Sequence, residues 1–518
     1  LLGRVVGPSS FPETGKRKSH RRKVDAQTAV WQAVWAGFVA SGIGQQRGCW
    51  VFRTWVTKCG SRGTDWTCDK VKDLCVSLRD CCLSEREVPY CEEVPKTLQR
   101  WLRRVARSEP RRILAFTRCA RALPVASVTR TSQGLLNHAK TIFKPVYASD
   151  FVCQRIEEYV AVKFKDKLTK CTWKHAPNSK NAVSESSGSK GGYDQYLRDL
   201  IEEDLDTARP SGANRILEAS RRTPAFPGKD SLINRLLRDG PAGPYGGLKY
   251  PTFLQGYGAL LSMEKHSKST WSMQDVVRHV ATPIAEQGCK VRVITVPPGS
   301  VFTAGTIARK AIFHRLRKID GRLRDFSKRI RPDGKIDGFR GCLRGDQHML
   351  SADLTKATDG FAQNAIKAVL RGLGKAGLDQ GLVSLATESL GLGAGKHFVT
   401  YQRKSFTEGH WGEMLSLMDV KDPKTDELHV PMRRGCLMGT PMSFTILSIL
   451  NGWCCEVLGP NTVICGDDVF SVCRPAQRDA YAIRVSDIGS GLHEKKSFYG
   501  DKGFTFCEVF GLTDATGH

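Results

Sequence analysis

Two hydrophobic periods alternate along the second half of the chain and lay out a series of strands and helices. Residues 290–296 (KVRVITV) alternate and are rich in β-branched side chains, which predicts a strand. In 307–319 the apolar positions are 307, 311, 312, 316 and 319, the stripe of an amphipathic helix. Residues 349–354 read as a strand, and Ala362, Ile366, Val369, Leu370 and Leu373 then line one helical face. Strands are predicted at 397–401 and 428–432. Residues 442–457 are apolar almost all round, which predicts a buried helix. Two short apolar strands, 462–465 and 469–473, are separated only by Gly466-Asp467-Asp468, which predicts a hairpin.

The first half has a different texture. Residues 1–175 are basic and rich in Cys and Trp, and read as an N-terminal extension of unknown fold. Residues 176–192 (APNSKNAVSESSGSKGG) have few apolar anchors and read as a linker or surface loop. A second break falls at 241–247 (PAGPYGG), and no internal repeat is visible.

Charge narrows the partner. The formal net charge over 518 residues is +27, which favours a polyanion, either nucleic acid or an anionic membrane face. Eleven basic residues and one acid, Glu109, lie between Arg100 and Lys144; between Arg309 and Arg344 there are thirteen and four. No run of about 18 apolar residues occurs, so no spanning helix is expected. The best stretch, 29–43, is interrupted by Gln32, Gly37 and Ser41 and reads as a core or surface helix. The seven cysteines from Cys49 to Cys91 include no Cys-x-x-Cys pair, so reduced thiols are expected rather than a structural zinc. The chain opens on Leu1, not Met, which suggests an incomplete open reading frame.

The candidate chemistry is a set of carboxylates. A Gly-Asp-Asp turn alone is weak, because Asp-rich turns are common. Such a turn is expected to present Asp467 and Asp468 at an exposed tip, where adjacent carboxylates are solvated or neutralised by a divalent cation. Asp353 strengthens the reading, since it falls near the end of an apolar strand and the helix-capping role open to Asp359 does not suit it. Two-metal phosphoryl transfer needs carboxylates from separate elements. A third segment, GCLMGTPMSFTILSILN (435–451), is a Gly-punctuated loop entering the apolar helix, with Ser443 near the first turn and Asn451 about two turns on.

This ordered set resembles the catalytic motifs of viral RNA-dependent RNA polymerases. SADLTKATDG (351–360) is similar to motif A, 435–451 to motif B and CGDDVF (465–470) to motif C. The wording is nearest to the botourmiavirus (ourmia-like) and narnavirus polymerases, over roughly residues 210–510. The resemblance implies an α+β right-hand fold: 193–345 as fingers, 346–510 as a palm with a small antiparallel sheet backed by helices, and 511–518 as the start of a truncated thumb. It implies two Mg²⁺ (or Mn²⁺) ions on Asp353 and Asp467, with Asp468 in looser contact. Asp359 and Asn451 would hydrogen-bond each other and read the ribose 2′-hydroxyl, and Ser443 would contact the same sugar or the template. Lys290 and Arg292 resemble motif F and would meet the NTP triphosphate. Lys496, favoured over Lys495, resembles the motif D acid that protonates pyrophosphate, and 504–510 resembles motif E, which grips the primer end.

The implied activity is template-directed RNA synthesis on a positive-strand viral genome. RNA template, RNA product and NTPs would be the partners, and the site the host cytoplasm, or the mitochondrion as in related viruses. The rival readings are a reverse transcriptase, which usually carries an aromatic residue where ribonucleotides are selected, and a non-catalytic RNA-binding protein, which rests on charge alone.

Overall fold

Strands form where period two predicted them. The structure, a computed structural model, describes residues 26–44, 48–84, 88–169, 181–207, 258–259, 261–262, 276–323, 343, 345–393 and 396–513. The expected break at 241–247 and the segment 511–518 beyond Thr513 lie outside the described residues. In chain order the strands are β1 (Val276–Glu286), β2 (Lys290–Val296), β3 (His348–Ala352), β4 (Leu354–Thr355), β5 (Lys396–Gln402), β6 (Glu427–Pro431), β7 (Thr462–Cys465), β8 (Asp468–Cys473), β9 (Gly491–Leu492), β10 (Phe498–Gly500), β11 (Gly503–Phe506) and β12 (Val509–Leu512). The predicted helices appear as Gly299–Ile319, Gln363–Lys375 and Ser443–Cys454. Helices and small sheets are thus mixed along the chain, as the α+β reading requires.

Two sheets hold the chemistry. The first has the order β2-β1-β5-β6, with β1 parallel to β5 and the other pairs antiparallel. The second, β10-β3-β8-β7, is antiparallel throughout. Behind it a large core joins the helices Asp150–Phe164, Gly299–Ile319, Gln363–Lys375 and Ser443–Cys454 through Ile156, Val160, Ile312, Ile366, Val369, Leu450 and their neighbours. Helix Val128–Phe143 packs on the first sheet instead, placing Leu135, Leu136 and Ile142 against Val399, Tyr401 and Val430.

Residues 26–126 build a helical bundle with its own core. The apolar stretch around 29–43 belongs to it: Val30, Val34 and Phe38 are buried. No helix among the described residues is long and apolar enough to cross a membrane. The seven cysteines of 49–91 are free thiols here, and Cys49, Cys59, Cys68, Cys75 and Cys82 fill the core as small apolar side chains.

The bundle touches two hairpins of the rest of the chain, β1–β2 and β11–β12. On the β1–β2 turn, Gly288 and Cys289 N–H groups donate to the Leu123 and Pro124 carbonyls at 2.7 and 2.7 Å, and Lys72 Nζ donates to the Cys289 carbonyl at 2.9 Å. At the other end Arg79 and Arg118 lie over the Phe510 ring at 5.4 and 5.8 Å, and Arg121 pairs with Glu508. The described part of the Ser/Gly-rich stretch, 181–192, is largely exposed, as a surface loop is, but anchored at one point. Val183 and Ser186 form a bridge, and Val183 is buried with Tyr193 and Phe302. That one valine and the adjacent tyrosine supply the anchors its composition did not suggest.

Candidate active site

β3 runs antiparallel to β8 with Ala352 opposite Val469. Asp353, the next residue after β3, therefore comes level with the Asp467-Asp468 end of the hairpin. Cys465 pairs with Asp468, which leaves Gly466 and Asp467 as the two turn residues. Gly466 has φ of +64°, and a Cβ there would stand 2.6 Å from Cε2 of Phe444. Both conditions select glycine.

The exposed tip expected from the sequence is not what forms. Asp467 and Asp468 are half-buried and Asp353 is 9% exposed. The cause is tertiary. The buried helix Ser443–Cys454 lies on one side of the turn. On the other, the β11–β12 hairpin stacks Phe504 on Phe470 with centroids 4.0 Å apart, and the Thr505 N–H donates to Ser351 Oγ at 2.9 Å. With water reduced, the carboxylates act on one another. Burial and then the Asp353 carboxylate, close enough for a shared hydrogen bond, raise Asp467 above the usual range. Burial followed by Asp467 and Asp353 pushes Asp468 up to about 6.

Cations answer this charge from two directions. Lys496 Nζ donates to Asp353 Oδ2 at 2.6 Å. Lys495 turns the other way, onto Asp73 Oδ1 of the bundle at 2.6 Å, so the two adjacent lysines differ in place. Lys290 is held below the ordinary lysine value by burial and then by Arg292 and Lys496, against the pull of Glu286 and Asp353. Arg292 Nε pairs with Glu286 Oε2 at 3.0 Å across the β1–β2 hairpin.

No group of three or more His, Cys, Asp or Glu among the described residues is gathered as a ready-made cation cage. The donor chemistry still fits Mg²⁺ or Mn²⁺. All donors are hard carboxylate oxygens, and Mg²⁺ takes one or two carboxylates while keeping several waters. Burial first, and then the neighbouring carboxylates, raise Asp467 and Asp468, and a cation would relieve the second of these.

The Gly-punctuated loop closes over Asp359. Gly435 has φ of +76°, and a Cβ on it would lie 2.7 Å from the Asp359 Cα. Backbone bonds from Gly435 to Phe361 O and from Cys436 to Thr358 O, 2.8 and 2.9 Å, fix the approach. The Met438 N–H then donates to Asp359 Oδ1 at 3.2 Å. Its carbonyl accepts from Thr295 N at 2.7 Å, tying the loop to β2. Ser443 Oγ is buried inside this loop, donating toward the Cys436 and Leu437 carbonyls, each at 2.6 Å.

Asn451 differs from expectation. It does not bond Asp359. Fully buried, it donates from Nδ2 to the Gly466 carbonyl at 2.7 Å and accepts at Oδ1 from the Tyr481 hydroxyl at 3.0 Å. Asp359 has other company: Thr358 Oγ1 donates to its Oδ1 at 3.3 Å, and His138 Nε2 faces Oδ2 at 3.7 Å. His138 and Tyr481 carry no signal in the sequence. His138 sits in the basic N-terminal region, outside any motif legible in the sequence, and Tyr481 is one apolar position of an ordinary amphipathic helix.

No family model matches the chain. It is 25% identical over 438 residues to the RNA-directed RNA polymerase of Saccharomyces 23S RNA narnavirus, covering 78% of this chain and 40% of that protein. To the RNA-directed RNA polymerase of Saccharomyces 20S RNA narnavirus it is 24% identical over 242 residues, covering 43% of this chain and 25% of that one. The chain thus spans less than half the length of these curated relatives. Taken with the order of the three segments and their convergence in space, these matches show the chain to be similar to the viral RNA-directed RNA polymerases of narnaviruses.

Proposed function

We propose that the chain is the catalytic part of an RNA-dependent RNA polymerase that replicates a positive-strand viral RNA, with β10-β3-β8-β7 as its palm and β2-β1-β5-β6 in its fingers. The carrying observation is the meeting of Asp353, Asp467 and Asp468, from two separate strands, with Lys496 and Lys290 around them. In the reaction a primer 3′-oxygen, or that of an initiating nucleotide, attacks the α-phosphate of an NTP. A new P–O bond forms, the bond to the β-phosphate bridge breaks, and pyrophosphate leaves.

Divalent cations bound by Asp353 and Asp467 would supply Lewis-acid activation of the nucleophile and charge neutralisation at the triphosphate. The chain's own groups do the rest. Lys290, kept at high positive potential by Arg292 and Lys496, meets the triphosphate. Lys496, beside Asp353, delivers a proton to the departing pyrophosphate. Asp359, held by the loop through the Met438 N–H, offers its remaining acceptor capacity to the ribose 2′-hydroxyl. Asn451 and Ser443 hold the turn and the loop in shape.

The test is extension of a primed RNA template by the purified chain with Mg²⁺, comparing wild type with Asp353→Ala and Asp467→Ala. The expected result is incorporation of NTPs that both substitutions abolish while RNA binding persists. Preference for 2′-deoxynucleotides would favour a reverse transcriptase. Unchanged function in both variants would reject a polymerase and leave an RNA-binding protein.

A further inference from the structure

Behind Asp359 lies a buried polar relay that none of the polymerase-like segments contributes in full. His138 is 7% exposed, on helix Val128–Phe143. Its Nδ1 meets the Tyr401 hydroxyl of β5 at 2.5 Å. Its Nε2 lies 3.7 Å from Asp359 Oδ2 and, though buried, has no hydrogen-bond partner. A buried imidazole nitrogen without a partner is rare in a native structure and calls for an explanation.

A neutral imidazole with its proton on Nε2 avoids turning a lone pair toward the carboxylate and leaves Nδ1 to accept. Tyr401 is fully buried, and its O–H can donate to Nδ1. That leaves the imidazole neutral with its proton on Nε2, aimed at the carboxylate. Burial keeps His138 below the ordinary imidazole value, against the pull of Asp359, so the neutral form is the one present near neutrality. On the other side Asp359 Oδ1 already accepts from the Met438 N–H and the Thr358 hydroxyl. A carboxylate has about four lone-pair directions. With two taken at Oδ1 and one faced by His138, a single direction at Oδ2 remains for a ligand hydroxyl.

We infer that His138, held in one tautomer by Tyr401, is a positioning residue for ribose selection: it fixes the Asp359 carboxylate so that its one open direction accepts the 2′-hydroxyl of an incoming ribonucleotide. The inference rests on the polymerase reading above and adds the residues that set its sugar specificity. The distance of 3.7 Å is too long for a full hydrogen bond. A swing of about 0.7 Å as the sugar engages Oδ2 brings the Nε2–H into range. The bond is therefore made with a 2′-hydroxyl present and not with a 2′-deoxynucleotide, which is the condition for discrimination.

The experiment is single-nucleotide extension of a primed RNA by the full chain, measuring kcat/KM for an NTP and for its 2′-deoxy counterpart. His138→Phe keeps an aromatic ring and removes both nitrogens; His138→Gln restores an N–H donor; Tyr401→Phe removes the hydroxyl that sets the tautomer. His138→Phe is expected to lower kcat/KM for the NTP about tenfold, the weight of one hydrogen bond to a charged group. The 2′-deoxynucleotide rate stays unchanged, so the ratio falls by the same factor and also reports that the variant is folded. His138→Gln recovers the ratio in large part, and Tyr401→Phe lowers it by a smaller factor. Equal losses for both nucleotides would overturn the inference, because a merely structural role acts on both alike. An unchanged ratio in His138→Phe would overturn it too, while leaving the polymerase reading intact. A wild-type chain that incorporates neither nucleotide would defeat that reading and this inference together.

Discussion

Asn451→Ala tests whether this side chain holds the Gly466-Asp467-Asp468 turn or reads the sugar. In the structure its amide is spent on protein: Nδ2 on the Gly466 carbonyl at 2.7 Å, Oδ1 on the Tyr481 hydroxyl at 3.0 Å. Truncation strands two buried groups, a carbonyl and a hydroxyl, with only the Cys455 thiol nearby as a weak partner. At about 1–3 kcal/mol for each, the cost is about 4 kcal/mol. Tyr481→Phe alone removes one hydrogen bond and costs about 1 kcal/mol. In the Asn451→Ala background the same change removes an orphaned hydroxyl, so it becomes neutral or stabilising by about 1 kcal/mol. Chemical denaturation of the four proteins in this double-mutant cycle measures the reversal. Strictly additive losses would refute the hydrogen-bonding account. In extension assays Asn451→Ala is expected to slow NTP and 2′-deoxynucleotide incorporation alike, because the turn carrying Asp467 loosens. A collapse of sugar discrimination in this variant would return Asn451 to the ribose.

Further outcomes follow from the same geometry. Lys496→Met should reduce extension about 100-fold, the usual weight of a general acid, whereas Lys495→Met, which breaks only the exposed Asp73 pair, should leave the rate within about twofold. Burial, and then the Asp467 and Asp353 carboxylates, push Asp468 up from the ordinary aspartate range to about 6. A raised carboxylate binds its proton more tightly when folded, so its contribution to stability falls as pH rises from about 4 to 6 in the absence of divalent ions. Comparing the melting temperature of wild type with Asp468→Asn, without metal, should show the variant gaining at pH 7.5 and not at pH 4; Mg²⁺ should raise wild type more at pH 7.5 than at pH 5. Gly435→Ala forces a Cβ to 2.7 Å from the Asp359 backbone at a φ of +76°, and should cost about 2 kcal/mol by thermal unfolding along with most of the extension activity.

The periodic elements could be read in advance because their signals are local. A strand at 290–296, a buried helix beginning near 443 and a hairpin at 462–473 each depend on neighbours a few residues away, and each appears in place. The three carboxylates Asp353, Asp467 and Asp468 do come together, and a Gly-Asp-Asp turn and a carboxylate near the end of an apolar strand are legible in one dimension. The exposure of the turn was not. Asp467 and Asp468 are half-buried, and whether a polar residue is covered is decided by chain far from it, here elements such as the β11–β12 hairpin that stacks Phe504 on Phe470. The partner of Asn451 was likewise hidden, because its amide could reach Asp359 or the Gly466 carbonyl and only packing against Tyr481 chooses.

The sequence by itself determined which residues carry charge, where the chain turns, and which faces seek a core. Those follow from side-chain chemistry and from the backbone freedom of residues such as Gly466. The tertiary structure decided which of two adjacent lysines meets Asp353, that the N-terminal bundle clasps both the β1–β2 turn and the β11–β12 hairpin, and that His138 stands behind Asp359. The reason is the same in each case. Hydrogen bonds and ion pairs act over about 3 Å, and contacts such as that between His138 and Tyr401, 263 positions apart, become neighbours only once the core has closed.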